Sequence, residues 1–509
     1  FDHFEPMYGD GQGEAFDGKL DWLVGGFYAN EKLTVRDNLR FGNQYGRFAT
    51  CRIISGGGLA GLYAPGQAGC VNGGIGNLAG LGRNTIAAAS GPISGADVVA
   101  AFTRLESLND LGTTNDRYFQ KDTNWALFTH NILHITDSLD LMLGLRYTKD
   151  KKDFDATFGN DNNVCTAVQG LVLDDAVNPL TTATARALSG ALIGLSCQGN
   201  STAELNGVSI SDSRSEDEFT GTAILSWKAT DDLLLYTSFA RGYKAGGFNL
   251  DRSALKAPTL PFASVGGAQA LVSALQFDPE LVDSYELGAK YSTGPFSLSV
   301  SAFRSDFSNF QLNTFNGTVF LVQTINGCSA NLNGGDRDQS KFLGAPNYSA
   351  TAAATGSCAA SDVGYGVRTQ GFELEASLVP ARNFRVAAGL TYAKTAYRNN
   401  LVGNKNGAPL DQSLRKLPGD NLSNAPELVA TSSMTWTPDI GTGGMSGLFY
   451  IDGRMTSDYN TGSDLFPQKG QDGFAVFNAR IGLRGPDEAW GLEFWGQNIF
   501  NQDYAQVAF

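Results

Sequence analysis

The chain is poor in the residues that most enzymes and nucleic-acid-binding proteins depend on. His3, His130 and His134 are the only 3 histidines, which leaves little for general-base work near neutral pH. His130 and His134 lie four apart on a segment that reads as a strand, so they share a face but sit well apart along it. Polar positions on a sheet wall near a turn account for both. Charged residues make up only 17% of the sequence, below the roughly 25% of ordinary soluble domains. The 37 Lys and Arg stand against 51 Asp and Glu, a formal net charge of −14. Nothing along the sequence supplies the basic patch that phosphate contacts require, so no nucleic acid is expected as a partner. No apolar run approaches the roughly 20 residues of a membrane helix, which excludes helical spans and leaves β-barrels open. Nothing near Phe1 reads as a signal peptide, and the chain is expected to begin inside a longer product.

What is abundant is glycine and aromatic side chains: 62 Gly, 32 Phe and 17 Tyr beside only 16 Pro. That mixture suits strands with one apolar face and one face lining a wet space. Leu139, Leu141, Leu143, Leu145 and Tyr147 alternate with Asp140, Gly144, Arg146 and Thr148. Only a period of two places those leucines together; a helix would scatter them. The same alternation recurs in Leu20–Tyr28, Phe219–Trp227, Tyr285–Tyr291, Phe296–Ala302, Phe372–Leu378, Phe384–Tyr392, Leu428–Trp436 and Phe477–Leu483. Tight turns such as Ser292-Thr293-Gly294-Pro295 alternate with long Gly-, Ala- and Asn-rich connections. Gly91–Leu108, in one of them, has helical composition, and Thr318–Thr324 reads as a small extra strand. Lys149–Asp153 reads as a solvated charge run. Aromatics at strand ends, Tyr147, Trp227, Tyr291, Trp436 and Trp490, fit two interfacial belts.

The 6 cysteines fall into local pairs, Cys51 with Cys70, Cys165 with Cys197, and Cys328 with Cys358. No pair is CxxC and none has a histidine nearby, so zinc is a poor reading. Three disulfides are expected, each closing one loop in an oxidising compartment. The fold expected is all-β: an antiparallel transmembrane β-barrel with short periplasmic turns and long extracellular loops. About 13–14 strands are expected, most near the length that crosses a bilayer when tilted. Residues 1–17 read as an irregular N-terminal segment and 18–509 as the barrel part.

On that pattern the stretch Arg241-Gly242-Tyr243-Lys244-Ala245-Gly246-Gly247-Phe248-Asn249 resembles the barrel motif of TonB-dependent outer-membrane receptors. Tyr285–Lys290, Gly371–Glu375 and Asn498–Tyr504 are similar to further family segments in the same order, and Asn424-Ala425-Pro426-Glu427 also fits. The loop-rich, disulfide-paired style resembles receptors of sphingomonad-type and related α-proteobacteria. The resemblance implies a barrel of about 22 strands closed by an N-terminal plug, in the bacterial outer membrane among lipid and lipopolysaccharide. It implies a TonB-type energy-transducing protein acting through a plug not in this chain, and energised uptake of a small scarce solute: a siderophore, cobalamin, haem or glycan. Against it, the chain is expected to be truncated at both ends, with Phe509 a truncation point and no plug or box visible.

A passive porin-like or long-chain-solute channel, and a structural or adhesive surface barrel, are the competing readings. No enzyme, cofactor or metal is expected. Gly73-Gly74-Ile75-Gly76 has no βαβ unit after it and is discounted as a nucleotide loop. Asp336-Arg337-Asp338 and Gly159–Asn163 carry calcium-type donors, with loop polarity the preferred account. Glu286, Lys290, Glu373, Glu375 and Arg385 are expected to face the lumen, without assignment to a ligand.

Overall fold

The computed structural model describes residues 3–81, 95–177, 183–197, 205–255, 275–315, 320–337, 356–411 and 414–508. Its principal sheet has 15 strands, and all but the two-residue Asp439–Ile440 lie on one path in chain order. The path runs through β1 (His3–Ala15), β2 (Leu20–Asp37), β3 (Asp116–Thr136), β4 (Leu139–Thr157), β5 (Ser209–Thr230), β6 (Leu233–Lys244) and β7 (Glu280–Thr293). It continues through β8 (Phe296–Ser308), β9 (Val367–Ala381), β10 (Phe384–Tyr397), β11 (Leu428–Trp436), β12 (Met445–Thr456), β13 (Phe474–Arg484) and β14 (Gly491–Gly496). Each strand is antiparallel to its neighbour, as in the hairpins β3–β4 and β9–β10. From β2 onward the strand order agrees with the alternation in the sequence.

The connections are segregated. At one end the chain turns through Phe16–Lys19, Asp137–Ser138, Asp231–Asp232, Gly294–Pro295 and Arg382–Asn383. At the other it makes the long excursions 38–115, 158–208, 245–279, 309–366 and 398–427.

The two faces of the sheet differ as the period-two pattern requires. Leu127 is 61% exposed while its neighbour Ala126 is 1% exposed. Leu143, Leu145, Phe219, Leu225, Leu287 and Ile481 are likewise exposed on the outer face. Among the described residues no other part of the chain covers this apolar band, which fits an apolar surround. Aromatic rings border it. Toward the long loops Trp125 meets Tyr147 at 5.4 Å, Tyr147 meets Phe219 at 4.9 Å, Phe239 meets Tyr285 at 5.2 Å and Phe372 meets Tyr392 at 5.6 Å. Toward the tight turns Tyr291 packs on Phe296 at 6.2 Å and Trp436 on Phe449 at 5.2 Å, with Trp227 and Trp490 exposed nearby in sequence to the same turns.

Three sequence expectations change here. Residues 1–17 are not irregular: β1 pairs residue for residue with β2, Ala15 opposite Leu20 and His3 opposite Lys32. Its Gly9, Gly11 and Gly13 carry no alternation to read; part of what packs on it is the Trp22 ring of β2, which a Cβ on Gly13 would meet at 3.1 Å. Strands β3 to β5 also rise past the aromatic row, so the loops begin later than composition suggests. For the same reason Lys149–Asp153 is not uniformly solvated. Lys151 is exposed, whereas Asp150 and Lys152 on the inner face are buried, ion-paired to each other, with Asp122 3.1 Å from the Lys152 ammonium.

The long loops fold into a layer of their own. Connection 38–115 carries α1 (Tyr45–Ser55), the single turn α2 (Leu78–Leu81) and α3 (Gly95–Glu106), and connection 158–208 carries α4 (Asn163–Val177) and α5 (Ala183–Ser196). Helix α3 falls where helical composition places it. These helices share a core that includes Ile54, Phe102, Leu105, Val168, Leu192 and Ile193. Cys51–Cys70 and Cys165–Cys197 staple one connection each, and Cys328–Cys358 closes the loop after β8. In that loop Phe310–Phe315 pairs with Phe320–Cys328, which continues onto Val363–Tyr365 and Leu401–Val402. The expected small strand is therefore present from Phe320; Thr318 lies outside the described residues.

Candidate solute path and outer rim

The stretch Arg241–Asn249 lies where β6 leaves the sheet at its long-loop end. The Arg241 guanidinium makes two bonds of 2.6 Å to the Asp283 carboxylate across the β6–β7 pair. Glu216, on the inner face of β5, accepts from the Gly246 N–H at 2.6 Å and the Tyr243 hydroxyl at 3.0 Å, and pairs with Arg214 at 2.7 Å. Arg214 donates onward to the Phe277 carbonyl at 2.6 Å. Gly246 has no room for a side chain, because a Cβ there would lie 2.5 Å from Arg214 and 2.6 Å from the Phe277 carbonyl. The residues that follow clamp separate loops together. Phe248 stacks on Phe154 at 4.6 Å, and the Asn249 amide accepts from the Val322 N–H at 2.7 Å and donates to the Val322 carbonyl at 3.0 Å.

Arg252 completes this hub. Its side chain is wholly buried, 3.4 Å from both the Asp116 carboxylate and the Gly159 carbonyl, with the guanidinium over the Phe158 ring at 5.6 Å. Its backbone N–H donates to the Tyr118 hydroxyl at 2.9 Å. Burial pushes the Asp116 carboxyl up to about 6, against the pull of Arg252 and of the Gly159 N–H. The glycine-rich motif is thus a fastening between β4, β5 and two loops; in the described contacts it is turned to the protein itself.

Inside the sheet the wall is polar and of mixed sign. Tyr236, Gly288, Ser301, Glu373 and Thr391 form one cross-strand row. The Tyr236 ring lies against Gly288, where a Cβ would sit 2.3 Å from it, and its hydroxyl donates to Glu286. Lys290 places its ammonium 5.8 Å from the same ring. Arg385 donates to Ser377 at 3.1 Å. A trough of about 770 Å³ is lined by Lys290, Ser299, Glu375, Arg385, Tyr450 and Arg454 among others. Further round, Asn478 donates to Asp452 at 2.8 Å and Arg480 pairs with Glu493 at 3.2 Å. Near the tight turns His134 bridges Asp140 at 2.6 Å and Asp21 at 3.2 Å. All five charges expected to face the lumen lie on this inner face. Such a wall offers donors and acceptors of both signs along its height, which suits passage of a polar solute better than storage of one ion.

The calcium-type segments serve the loops. Asp161 pairs with Arg40 at 2.8 Å and accepts from the Gly112 N–H at 2.8 Å; Asn162 accepts from the Cys165 N–H at 3.2 Å at the start of α4. Asp336 is buried and accepts from the Leu401 N–H at 2.9 Å, burial raising its carboxyl above the usual range. Asp338 lies outside the described residues. No group of three or more His, Cys, Asp or Glu stands ready for a metal among the described residues.

Arg214, Glu216, Tyr236 and Arg252 went unread in the sequence. Arg214 and Glu216 had a signal, the polar alternation Ser209, Ser211, Ser213, Ser215 against Ile210, Asp212, Arg214, Glu216.

A chain-ordered antiparallel sheet, with segregated connections and an exposed apolar band between aromatic rows, defines a transmembrane β-barrel of the outer-membrane kind. Residues 5–499 match the TonB-dependent receptor-like β-barrel family, and the chain belongs to it. The pesticin receptor of Yersinia enterocolitica is 28% identical over 134 residues, 26% of this chain and 17% of that protein. Among solved structures the chain is similar to the ferric yersiniabactin uptake receptor FyuA from Yersinia pestis. The TM-score is 0.54 at 14% identity, covering 99% of this chain and 50% of that one. The ferric-catecholate import receptor Fiu from E. coli K12 gives 0.50 at 13%, covering 99% and 51%. These structural likenesses carry the fold. The chain spans about half the length of the two solved receptors.

Proposed function

We propose that the protein to which this barrel belongs is a TonB-dependent receptor of the bacterial outer membrane that takes up a scarce small solute. The observation that carries the reading is the architecture within this family: tight turns at one end, braced loops at the other, and a polar wall of mixed charge between them. The tight turns would face the periplasm and the loop layer the exterior. A plug carried elsewhere in the polypeptide would receive the TonB-type energy-transducing protein, and the wall would stand among outer-membrane lipid and lipopolysaccharide. Three disulfide-pinned loops favour a receptor of the sphingomonad type.

Of siderophore, cobalamin, haem and glycan, a ferric siderophore is the first class to test, because the similar solved receptors are named for ferric chelates. The test is uptake of radiolabelled ferric siderophores by cells with and without the gene, each with and without TonB. The reading expects uptake that needs both. Uptake that persists without TonB, together with steady ion conductance of the full-length protein in planar bilayers, would support a passive channel instead. Binding of cells without any uptake would support an adhesive barrel.

A further inference from the structure

Strand register places one carboxamide in the middle of the apolar band. Asn131 of β3 stands directly opposite Trp22 of β2 and Leu143 of β4, which puts it on the outer face. It lies about 20 Å along the strand from Trp125 of the upper aromatic row and about 17 Å from Thr136 at the tight turn, at 3.3 Å per residue. Between the two rows the outer positions of β2 to β13 are apolar except for Thr129, Asn131, Thr237 and Ser432. Asn131 is the one amide among them, and none is charged.

A hydroxyl at that depth can bond back to its own sheet. Thr129 donates to the Leu23 carbonyl at 2.9 Å and Thr237 to the Glu286 carbonyl at 3.2 Å. A carboxamide has more to satisfy, with two N–H donors and an acceptor oxygen. Asn131 donates one N–H to the Thr129 hydroxyl at 2.9 Å; among the described residues its other N–H and its oxygen meet no partner. The indole N–H of Trp22, directly across the strand pair, also donates to nothing among the described residues. Acyl chains offer neither donor nor acceptor, and a polar group left unmet in hydrocarbon is costly.

The surroundings of Asn131 select its occupant. Val24, Leu127 and Leu143 around it are exposed and apolar. On β1 the outer positions opposite Trp22, Val24 and Gly26 are Gly13, Gly11 and Gly9, so the wall drops beside the patch and leaves room for close approach. The patch carries no charge, and a second copy would meet no like charge across it. In a two-fold contact a surface meets itself, and a carboxamide is its own complement. Each of two facing amides can donate its spare N–H to the other's oxygen.

We propose that this face of β1 to β4 is an interface between two copies of the receptor within the membrane, centred on paired Asn131 carboxamides. The contact presupposes only that the outer wall stands in lipid, as the barrel class requires.

Full-length protein carrying Asn131→Cys, oxidised in native membranes, tests the contact. All native cysteines are paired in disulfides, so the introduced thiol is the reporter. Position 131 of one copy should meet position 131 of the other and give a disulfide-linked dimer, while Ile481→Cys on β13 should give far less. Energy transfer between separately labelled copies in phosphatidylcholine vesicles measures the association. Asn131→Leu should weaken it about tenfold, as the loss of two amide bonds out of water implies. The same variant should raise the urea midpoint of the detergent-solubilised monomer, because leucine suits lipid; a misfolded variant cannot gain stability while losing association. Asn131→Gln keeps the carboxamide and should retain most of the association. Equal crosslinking at positions 131 and 481, or unchanged association of Asn131→Leu, would overturn the proposal. Crosslinking of position 131 only to a different protein would overturn it too, in favour of a docking site for that protein. Membrane fractionation of producing cells tests the outer-membrane reading separately, since association in synthetic vesicles reports on the wall alone.

Discussion

Removing the Arg252 guanidinium is the sharpest probe of the rim hub. The pair is out of water on both sides, with side-chain exposures of 0% for Arg252 and 2% for Asp116. Even with Arg252 present, Asp116 is held up to about 6, so its anion is disfavoured by about 3 kcal/mol relative to a free carboxylate. An acid raised in the folded state keeps its proton where the unfolded chain has lost it. The hub should therefore be most stable below about pH 4 and lose that advantage as pH rises through about 6. Arg252→Met strands the Asp116 anion, a change that typically costs about 3–5 kcal/mol for a buried pair. The loss should be smaller at pH 5 than at pH 7.5, because Asp116 can then stay protonated. Arg252→Met/Asp116→Asn should recover most of the loss, since asparagine keeps the oxygen that accepts from the Gly159 N–H at 2.8 Å. Hydrogen exchange read by mass spectrometry on peptides spanning 116–120, 154–160 and 245–255 measures the opening, after correction for intrinsic rates. Equal effects of Arg252→Met at both pH values, or a double variant as open as the sum of the singles, would refute the reasoning.

Gly288→Ala pushes a Cβ to 2.3 Å from the Tyr236 ring. It should displace the ring from Glu286 and cost about 1–3 kcal/mol, read as a lower urea midpoint of the detergent-solubilised protein. Gly371→Ala is harsher, because the Cβ would meet the Tyr392 carbonyl at 1.8 Å; little heat-modifiable, folded protein should be recovered on unheated gels. Replacing Cys165 and Cys197 by serine should loosen the loop by about 2–4 kcal/mol, seen as faster tryptic cleavage at Arg186 with an unchanged barrel unfolding midpoint. Wild-type cleavage rates in that variant would show that helix packing alone holds the loop.

Strands whose outer faces meet an apolar surround were legible, because Leu139–Tyr147 or Phe372–Leu378 must alternate to hold two solvents apart. Strand β1 was not, since glycine at Gly9, Gly11 and Gly13 erases the contrast and its partner β2 supplies the packing. The upper parts of β3 to β5 alternate polar with polar, and a strand in water has no reason to advertise itself with leucine. The cysteine pairs were readable because each closes within one connection. The rim hub was not: Asp116, Gly159, Glu216 and Arg252 come from four separate segments, and only the register brings them together. The same is true of Trp22 and Asn131, far apart in sequence and side by side on the sheet.

The helical layer constrains the order in which the molecule is built. Cys51–Cys70 lies within the connection after β2, and Cys165–Cys197 within the connection after β4. The core they stand in is common property, with Phe102 and Leu105 from the first meeting Val168 and Leu192 from the second. Each loop can therefore be covalently closed while still on the periplasmic side of the proposed membrane, before any strand is seated. Their joint packing has to wait until both have crossed. On the proposed orientation, export would handle two small stapled loops, and their shared core would close only on the far side.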